Sequence, residues 1–311
     1  MSLDIIKTAF SSLCEIDNLS VHLINSRNNK VEGTQYSACR IEIADKELAT
    51  LIMDISRLYT TGKKSIDKYY IEVTEYDGTA ESTIVYRLSK GNPLISTEYE
   101  RLITELANWE KEENPFKYNS AYLIKGEIPD NNNSEIRNRV ILISCMNPIT
   151  TLSGKYRFFN NSFHAIDEQV LNLRTTFDVL IFNDTIYFLT MAGESFFQME
   201  HAYKSVCKNT VETLIESELF SDPEAFKTIA TSKHNPRRFV SYNKANFEYL
   251  KNKDNRIAIS EIFNIKLTED GRFDTSEEIV SDRIVRILCD KGMIHPIDKK
   301  PVEVNGKKPW L

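Results

Sequence analysis

Glycine is scarce in this sequence, with 10 glycines among 311 residues. Neither G-x-x-x-x-G-K-S/T nor G-x-G-x-x-G occurs, so a glycine loop that cradles phosphate groups is unsupported. The metallopeptidase pattern H-E-x-x-H and the hydrolase pattern G-x-S-x-G are missing as well. The sequence therefore gives no support to three common enzyme classes: P-loop or dinucleotide-binding enzymes, zinc peptidases and α/β-hydrolases.

Cysteines and long apolar runs are also few. Five cysteines are scattered along the chain: Cys14, Cys39, Cys145, Cys207 and Cys289. Because none belongs to a C-x-x-C pair, neither a disulfide framework nor a zinc site is indicated. No stretch approaches the roughly 18 uninterrupted apolar residues of a membrane span, and the N-terminus lacks the pattern of a secretory signal. We therefore expect a cytoplasmic protein with neither a metal nor another cofactor.

The order of strand and helix patterns divides the chain into two parts. Residues 1–190 are rich in alternating or β-branched runs, whereas residues 191–311 show mostly helical spacing. Within the first part, Tyr69–Tyr76 and Thr83–Leu88 flank Asp77-Gly78, a pair typical of a β-hairpin turn. We therefore predict an α+β protein, with a strand-rich mixed domain over residues 1–190 and a mainly helical, basic region over residues 191–311.

The most regular pattern is a central stretch at the boundary of these two parts. Two short apolar runs, Val179–Phe182 and Ile186–Leu189, are separated by Asn183-Asp184, residues that tolerate a tight turn. Beyond Gly193 the spacing changes, and four apolar residues follow one another at helical intervals: Phe196, Met199, Tyr203 and Val206. The stretch predicts a buried β-hairpin at the end of the first domain, followed by one helix that lies on it.

This central stretch also carries a resemblance to a known family. Its first strand reads FD followed by apolar residues, its second strand reads apolar-Tyr-apolar-Leu, and its helix is rich in aromatics. The matching residues are Phe177, Asp178, Val179, Leu180 and Ile181, then Ile186, Tyr187, Phe188 and Leu189, then Phe196 and Phe197. With these motifs the chain resembles KwaB, the soluble component of the two-gene Kiwa anti-phage system.

The resemblance implies a partner and a mechanism. A protein like KwaB would form a homodimer and associate with KwaA, an integral membrane protein, which would hold it at the inner membrane. It would bind DNA without cutting it and hinder phage DNA replication or transcription. No functional residue is carried over from the family, because the resemblance is one of strand and helix pattern and includes no catalytic motif.

Positive charge is concentrated in one stretch of an otherwise acidic chain. The residues from Lys227 to Arg256 hold eight basic and two acidic side chains, a local charge of +6, while the whole sequence has −6. Such a stretch can neutralise a phosphate backbone and release its counterions. Aromatic residues lie between the charges: Phe239, Tyr242, Phe247 and Tyr249. The candidate DNA-backbone contacts are Lys233, Arg237, Arg238, Lys244, Lys251 and Lys253. The alternative is a solvated charged face whose aromatics belong to the core.

A second basic cluster lies near the C-terminus. Four lysines flank Asn305-Gly306, which is a strong turn signal: Lys299, Lys300, Lys307 and Lys308. Arg283 and Arg286 lie off the apolar face of the helix predicted before them. A helix followed by a basic hairpin is weakly similar to the helix and wing of some DNA-binding domains.

Two other classes of function stay open. In a protein-interaction module, the acidic helix Thr97–Glu110 and the aromatic helix Glu194–Val206 would be docking surfaces. A metal-dependent nuclease would need carboxylates and a lysine around its metal. Asp178 and Asp184 lie near the central hairpin, but no Glu/Asp-x-Lys follows on its second strand. We therefore expect a DNA-binding protein that is not an enzyme and has no small-molecule substrate.

Overall fold

The computed structural model describes most of the chain, namely residues 3–29, 33–79, 81–109, 115–130, 136–151, 155–159, 162–166, 169–232, 235–294 and 301–303. The chain divides into two compact units. The first holds Met1–Glu75 and Glu81–Gln198, and the second holds Tyr76–Ala80 and Met199–Leu311. The main division along the chain thus follows Gln198, whereas the sequence pattern placed it after residue 190. One short upstream segment also belongs to the second unit.

The first unit contains most of the strands. Its strands are β1 (Asp17–Asn29), β2 (Gly33–Ile41), β3 (Glu72–Glu75), β4 (Ile84–Ser89), β5 (Ala121–Pro129), β6 (Arg137–Ser144), β7 (Ile149–Thr151), β8 (Lys155–Phe159), β9 (Ser162–Ile166), β10 (Gln169–Leu171), β11 (Val179–Phe182) and β12 (Thr185–Phe188). Its helices are α1 (Asp4–Ser11), α2 (Asp45–Thr60), α3 (Ile66–Tyr69), α4 (Ser96–Ala107) and α5 (Ala192–Phe196).

The second unit is mainly helical. Its helices are α6 (Met199–Ile215), α7 (Pro223–Ala230), α8 (Asn235–Arg238), α9 (Lys244–Leu250), α10 (Lys253–Phe263) and α11 (Glu278–Leu288), followed by the paired strands β13 (Gly292–Ile294) and β14 (Pro301–Glu303). The distribution of strands and helices confirms the predicted α+β class. None of the helices in the described part of the chain is long and apolar enough to span a membrane.

Eight strands of the first unit form one sheet in the order β2-β1-β5-β6-β11-β12-β4-β3. Every neighbouring pair in it is antiparallel except β3 and β4. Successive side chains of a strand point to opposite faces of the sheet. Val21 and Leu23 of β1 therefore share one face, where they belong to the same core as Phe10 of α1 and Ile55 of α2. This core attaches both helices to the sheet.

The central hairpin is confirmed. β11 and β12 pair with Val179 opposite Phe188. Asn183 has a φ of 53°, the left-handed conformation that a tight two-residue turn requires. The hairpin lies inside the sheet, between β6 and β4. Both faces of an interior strand can be buried, which explains why its two runs are continuously apolar.

The aromatic helix after the hairpin is two helices, so the prediction of one helix was wrong. α5 ends at Phe196, Gln198 takes a left-handed φ of 51°, and α6 begins at Met199. A left-handed residue cannot continue a right-handed helix. The short α5 does lie on the hairpin, because a Cβ added to Gly193 would come within 2.6 Å of the Phe188 ring.

The segment between β3 and β4 does not form the predicted hairpin. The two strands pair in parallel, with Glu72 opposite Ile84. The intervening Tyr76–Ala80 belongs to the second unit. After β3 the chain therefore crosses over to the start of β4, which runs in the same direction as β3, instead of making a tight hairpin turn. The Asp77-Gly78 pair predicts a local turn, but it does not predict that this segment belongs to the second unit.

His22 of β1 is a buried histidine in the sheet. Its side chain is 2% exposed, and its Nε2 lies 3.1 Å from the hydroxyl oxygen of Ser20. Burial lowers the pKa of His22 to about 4, and the charges of Lys125 and Arg40 act in the same direction. The folded unit thus keeps this ring neutral at pH values where an unfolded histidine, with a pKa of about 6.5, takes up a proton.

We predict from this lowered pKa that the first unit loses stability as the pH falls from about 6.5 towards 4. In that window the unfolded chain binds more protons than the folded one, so the free energy of unfolding should fall by roughly 1–2 kcal/mol between pH 7 and pH 5. Urea unfolding followed by tryptophan fluorescence measures it, since the Trp109 and His22 ring centroids are 6.3 Å apart.

Two variants make this pH prediction specific. His22→Gln removes the titrating ring and should lose much less stability over the same pH interval. His201→Gln changes an exposed histidine of α6 and should retain the pH dependence of the wild type. The prediction is contradicted if His22→Gln and the wild type lose the same free energy of unfolding between pH 7 and pH 5.

Candidate nucleic-acid interface

The basic stretch folds into a succession of short helices in the second unit. α7 begins after Asp222, whose carboxylate accepts a hydrogen bond from a first-turn amide at 2.9 Å. α9 and α10 begin after Asn243 and Asn252, whose side chains accept backbone N–H groups at 2.9 and 2.8 Å. Such caps satisfy amides that a helix start leaves unpaired. They also fix Lys244 and Lys253 as the first residues of α9 and α10.

Polar uncharged side chains of this stretch are bonded inside the unit. The amide of Asn235 donates to a backbone carbonyl of α7 at 2.9 Å, and that of Asn246 donates to one of α11 at 2.7 Å. The hydroxyl of Ser241 donates to the carbonyl oxygen of Asp77 at 2.6 Å. These three side chains therefore contribute hydrogen bonds between segments of the second unit.

Arg237 and Arg238 are half-buried and have partners within the second unit. The guanidinium of Arg237 donates to the carbonyl oxygen of Thr79 at 3.1 Å and to the hydroxyl of Tyr76 at 3.4 Å. Arg238 pairs with the carboxylate of Asp282 at 3.0 Å. Both arginines thus connect segments of the unit, so replacing them would change its internal contacts as well as its surface charge.

Arg256, which contributes to the charge of the stretch, is 8% exposed. Its guanidinium donates to the carbonyl oxygens of Gly271 at 2.7 Å, Leu250 at 2.9 Å and Lys251 at 2.9 Å. Two of these acceptors lie at the C-terminal end of α9, where helix carbonyls lack intrahelical partners. Arg256 therefore joins α9 to the loop after α10.

Among the predicted contacts that the structure describes, three lie on the surface. Lys244, Lys251 and Lys253 are exposed, at the start of α9, just after its end and at the start of α10. Lys251 pairs with Glu248 at 2.9 Å, and Tyr249 is 50% exposed. We call Lys244, Tyr249, Lys251 and Lys253 the lysine surface. It combines ammonium groups, which bind phosphates, with an aromatic ring, on which a base can stack.

The other aromatics of the stretch are less accessible. Phe239 and Phe247 are buried, at 1% and 6% exposure, and Tyr242 is half-buried. Phe239 and Phe247 belong to the core of the second unit together with Phe226 of α7. For these two rings the alternative interpretation is the better one, because both belong to the core and are not available to bases.

Some predicted residues lie outside the described part of the chain. They are Lys233, Lys299, Lys300, Lys307, Lys308 and the turn at Asn305-Gly306. The β13–β14 pair lies upstream of that turn, with Gly292 opposite Glu303. Arg283 and Arg286 of the second cluster lie on α11.

The two aspartates of the nuclease hypothesis have partners in the first unit. The carboxylate of Asp178 accepts the amide of Cys145 at 2.8 Å. Asp184 pairs with Lys90 at 2.9 Å and with Arg139 at 3.4 Å. Across the described residues, no group of three or more His, Cys, Asp or Glu side chains is placed to hold a metal ion.

The two surfaces of the interaction-module hypothesis differ in accessibility. Phe196, Phe197 and Tyr203 are buried, at 5%, 0% and 5% exposure. On α4, by contrast, Glu100 and Glu105 line a groove of about 740 Å³. The interaction-module alternative therefore depends on this α4 groove, whose lining also includes Arg101, and not on the aromatic residues.

A known family matches the part of the chain that carries the central hairpin and the lysine surface. The family model described as Kiwa protein KwaB-like matches residues 138–294, just over half of the chain. The chain belongs to the KwaB-like family. The match extends from β6 to β13 and includes the central hairpin and the lysine surface, so it confirms the resemblance read from the sequence. Membership in this family indicates a role in Kiwa anti-phage defence and implies a complex with other Kiwa components. No curated protein and no solved structure gives a significant match.

Proposed function

We propose that this KwaB-like protein binds DNA without cleaving it, and that the bound protein hinders phage DNA replication or transcription. The observation that carries the proposal is the charge of +6 between Lys227 and Arg256 in a chain of net charge −6. The described residues of this stretch expose three lysines and one tyrosine. Lysines neutralise the DNA backbone whatever its sequence, and an exposed ring accepts any base, so we expect binding without sequence preference.

The proposal includes a membrane partner and self-association. The family implies a complex with other Kiwa components. We propose that a KwaA-like integral membrane protein holds this protein at the inner membrane, and that the protein forms a homodimer. Co-purification with a KwaA-like protein from detergent tests the first point, and the mass of the purified protein by light scattering tests the second.

Neutralising the lysine surface is expected to weaken DNA binding at every sequence. Each lysine that neutralises a phosphate contributes about 0.9 to the slope of log affinity against log salt on duplex DNA. The triple variant Lys244→Gln, Lys251→Gln and Lys253→Gln should therefore reduce that slope by about 2.7 and weaken binding about tenfold or more. Fluorescence anisotropy with duplex and single-stranded DNA over a salt series, with no metal present, measures both quantities.

The matched control changes three exposed lysines of the second unit that lie outside the basic stretch: Lys204→Gln, Lys208→Gln and Lys266→Gln. This triple changes the net charge equally and should retain most of the salt slope. Equal losses in the two triples would show a dependence on net charge alone. A wild type that binds no DNA at low salt would refute the proposal and favour the interaction module. Plasmid cleavage with Mg²⁺ or Mn²⁺ would refute its non-catalytic part.

A further inference from the structure

A cavity of about 310 Å³ in the second unit is lined by residues of α10, α11 and the β13–β14 pair. Three of its lining residues are cationic, Arg283, Arg286 and Lys291, and none of those in the described part of the chain is acidic. Its volume lies at the lower end of the range of about 300–1,000 Å³ that small-molecule sites occupy. The DNA-binding proposal uses none of these residues.

The guanidinium groups on α11 also contact groups of the protein. Arg286 pairs with Asp282 at 2.8 Å, and the same carboxylate also pairs with Arg238 at 3.0 Å. Arg283 donates to the backbone carbonyl oxygen of Asn264, which is a neutral acceptor. The carboxylate of Asp282 therefore pairs with both Arg238 and Arg286, whereas Arg283 binds a carbonyl group.

Lys291 adds a buried positive charge to the same lining. Its side chain is 7% exposed, and its Nζ lies 3.3 Å from one carboxylate oxygen of Asp77. The other oxygen of Asp77 accepts the amide and the hydroxyl of Thr79 at 2.9 and 2.6 Å. The neighbouring Asp290 is bonded to the amide of Asn246 at 2.8 Å. Three cationic residues thus line the cavity, and their positive charge favours an anionic ligand.

The remaining lining is apolar and includes an aromatic ring. Phe263, Ile287 and Val302 contribute to it. Gly292 keeps the space beside them open, because a Cβ at this position would lie 3.2 Å from the Phe263 ring and 3.4 Å from Ile287. A flat ring system placed against Phe263 would be stabilised by stacking. The cavity therefore offers one cationic and one apolar, aromatic part.

We propose that this cavity binds a mononucleotide, with the phosphate at Arg283, Arg286 and Lys291 and the base against Phe263. A phosphate monoester combines a charge of about −1.5 to −2 with three acceptor oxygens, which suits guanidinium donors. The base supplies the planar, weakly polar part that the aromatic lining accepts. The nucleotide is a bound ligand, and no reaction is assigned to it. A free nucleotide and the phosphorylated end of a DNA strand present the same chemistry.

Isothermal titration calorimetry of the full chain with AMP, adenosine and inorganic phosphate tests this site. AMP should bind roughly tenfold or more tightly than either fragment, because it alone fills both parts of the cavity. Arg283→Gln should weaken AMP binding roughly tenfold or more through loss of a charge-assisted contact. Phe263→Leu should weaken the binding of AMP and leave that of phosphate unchanged. Arg57→Gln, at a side chain 77% exposed on α2, is the matched control and should bind AMP like the wild type.

Competition experiments identify the source of the ligand. A short single-stranded oligonucleotide that displaces AMP only when it carries a 5′ phosphate would identify a strand end as the ligand, whereas no displacement would identify a free nucleotide. Displacement by both oligonucleotides would overturn the proposal, because it would show general polyanion binding. The proposal is also overturned if millimolar AMP does not bind, if adenosine binds as tightly as AMP, or if a folded Arg283→Gln variant retains its affinity for AMP. The lysine-surface triple variant should bind AMP normally, so the two proposals can fail separately.

Discussion

Replacing Arg256 by methionine is expected to lower the free energy of unfolding of the second unit by about 3 kcal/mol or more. The guanidinium is 8% exposed and donates to three backbone carbonyl oxygens at 2.7 to 2.9 Å. Methionine fills similar space but donates no hydrogen bond, so it would leave buried carbonyls unpaired. Urea unfolding followed by circular dichroism measures the loss, because this unit is mainly helical.

Arg272→Met is the control for this prediction. Arg272 pairs with Asp270 at 2.6 Å, with a side chain 42% exposed, and exposed pairs contribute about 0–1 kcal/mol. The control should therefore lose much less stability than Arg256→Met. A loss below about 1 kcal/mol for Arg256→Met would contradict the structural role of Arg256. If such a folded variant also bound DNA more weakly, Arg256 would belong among the phosphate contacts.

Replacing Gly193 by alanine is expected to lower the free energy of unfolding of the first unit by about 2–3 kcal/mol. In an ordinary helix this substitution stabilises by about 1 kcal/mol, so the expected sign is the reverse of helix propensity. The added Cβ would lie 2.6 Å from the Phe188 ring and 2.7 Å from Val179. Both neighbours are 0% exposed inside the sheet, where close packing leaves them little room to move.

Gly91→Ala makes the same chemical change at an open position. Apart from its chain neighbours, no atom of the described residues lies within 4 Å of a Cβ added there, so the stability should change by less than about 0.5 kcal/mol. Urea unfolding followed by tryptophan fluorescence compares the two variants in the same unit. Equal stability of Gly193→Ala and the wild type would show that α5 shifts away from the hairpin at little cost.

The central hairpin was predictable because its signals are close together in the chain. Two apolar runs flank Asn183, and the turn residue that tolerates a left-handed φ lies where the structure has a φ of 53°. The pairing of β3 was not predictable in the same way. Its direction depends on Tyr76–Ala80, which belongs to the second unit together with residues more than one hundred positions away.

The charge of the candidate interface was predictable, but the exposure of each cation was not. An arginine that is buried can donate to several carbonyl groups, as Arg256 does. A lysine ammonium is compact and strongly hydrated, so it favours the surface. This chemical difference between the two residue types ranks Lys244, Lys251 and Lys253 above Arg237 as surface contacts. The cavity beside Arg283 had no such signal, because its lining comes from three separate segments.

The sequence by itself determined the α+β class, the central hairpin, the family and the concentration of positive charge. Each of these depends on composition or on residues that are near neighbours in the chain. Only the tertiary structure decided the parallel pairing of β3 with β4, the break at Gln198, the burial of Arg256 and the cationic cavity. Sheet pairing, burial and cavity lining depend on which distant groups become adjacent when the chain folds, and a local pattern does not specify those neighbours.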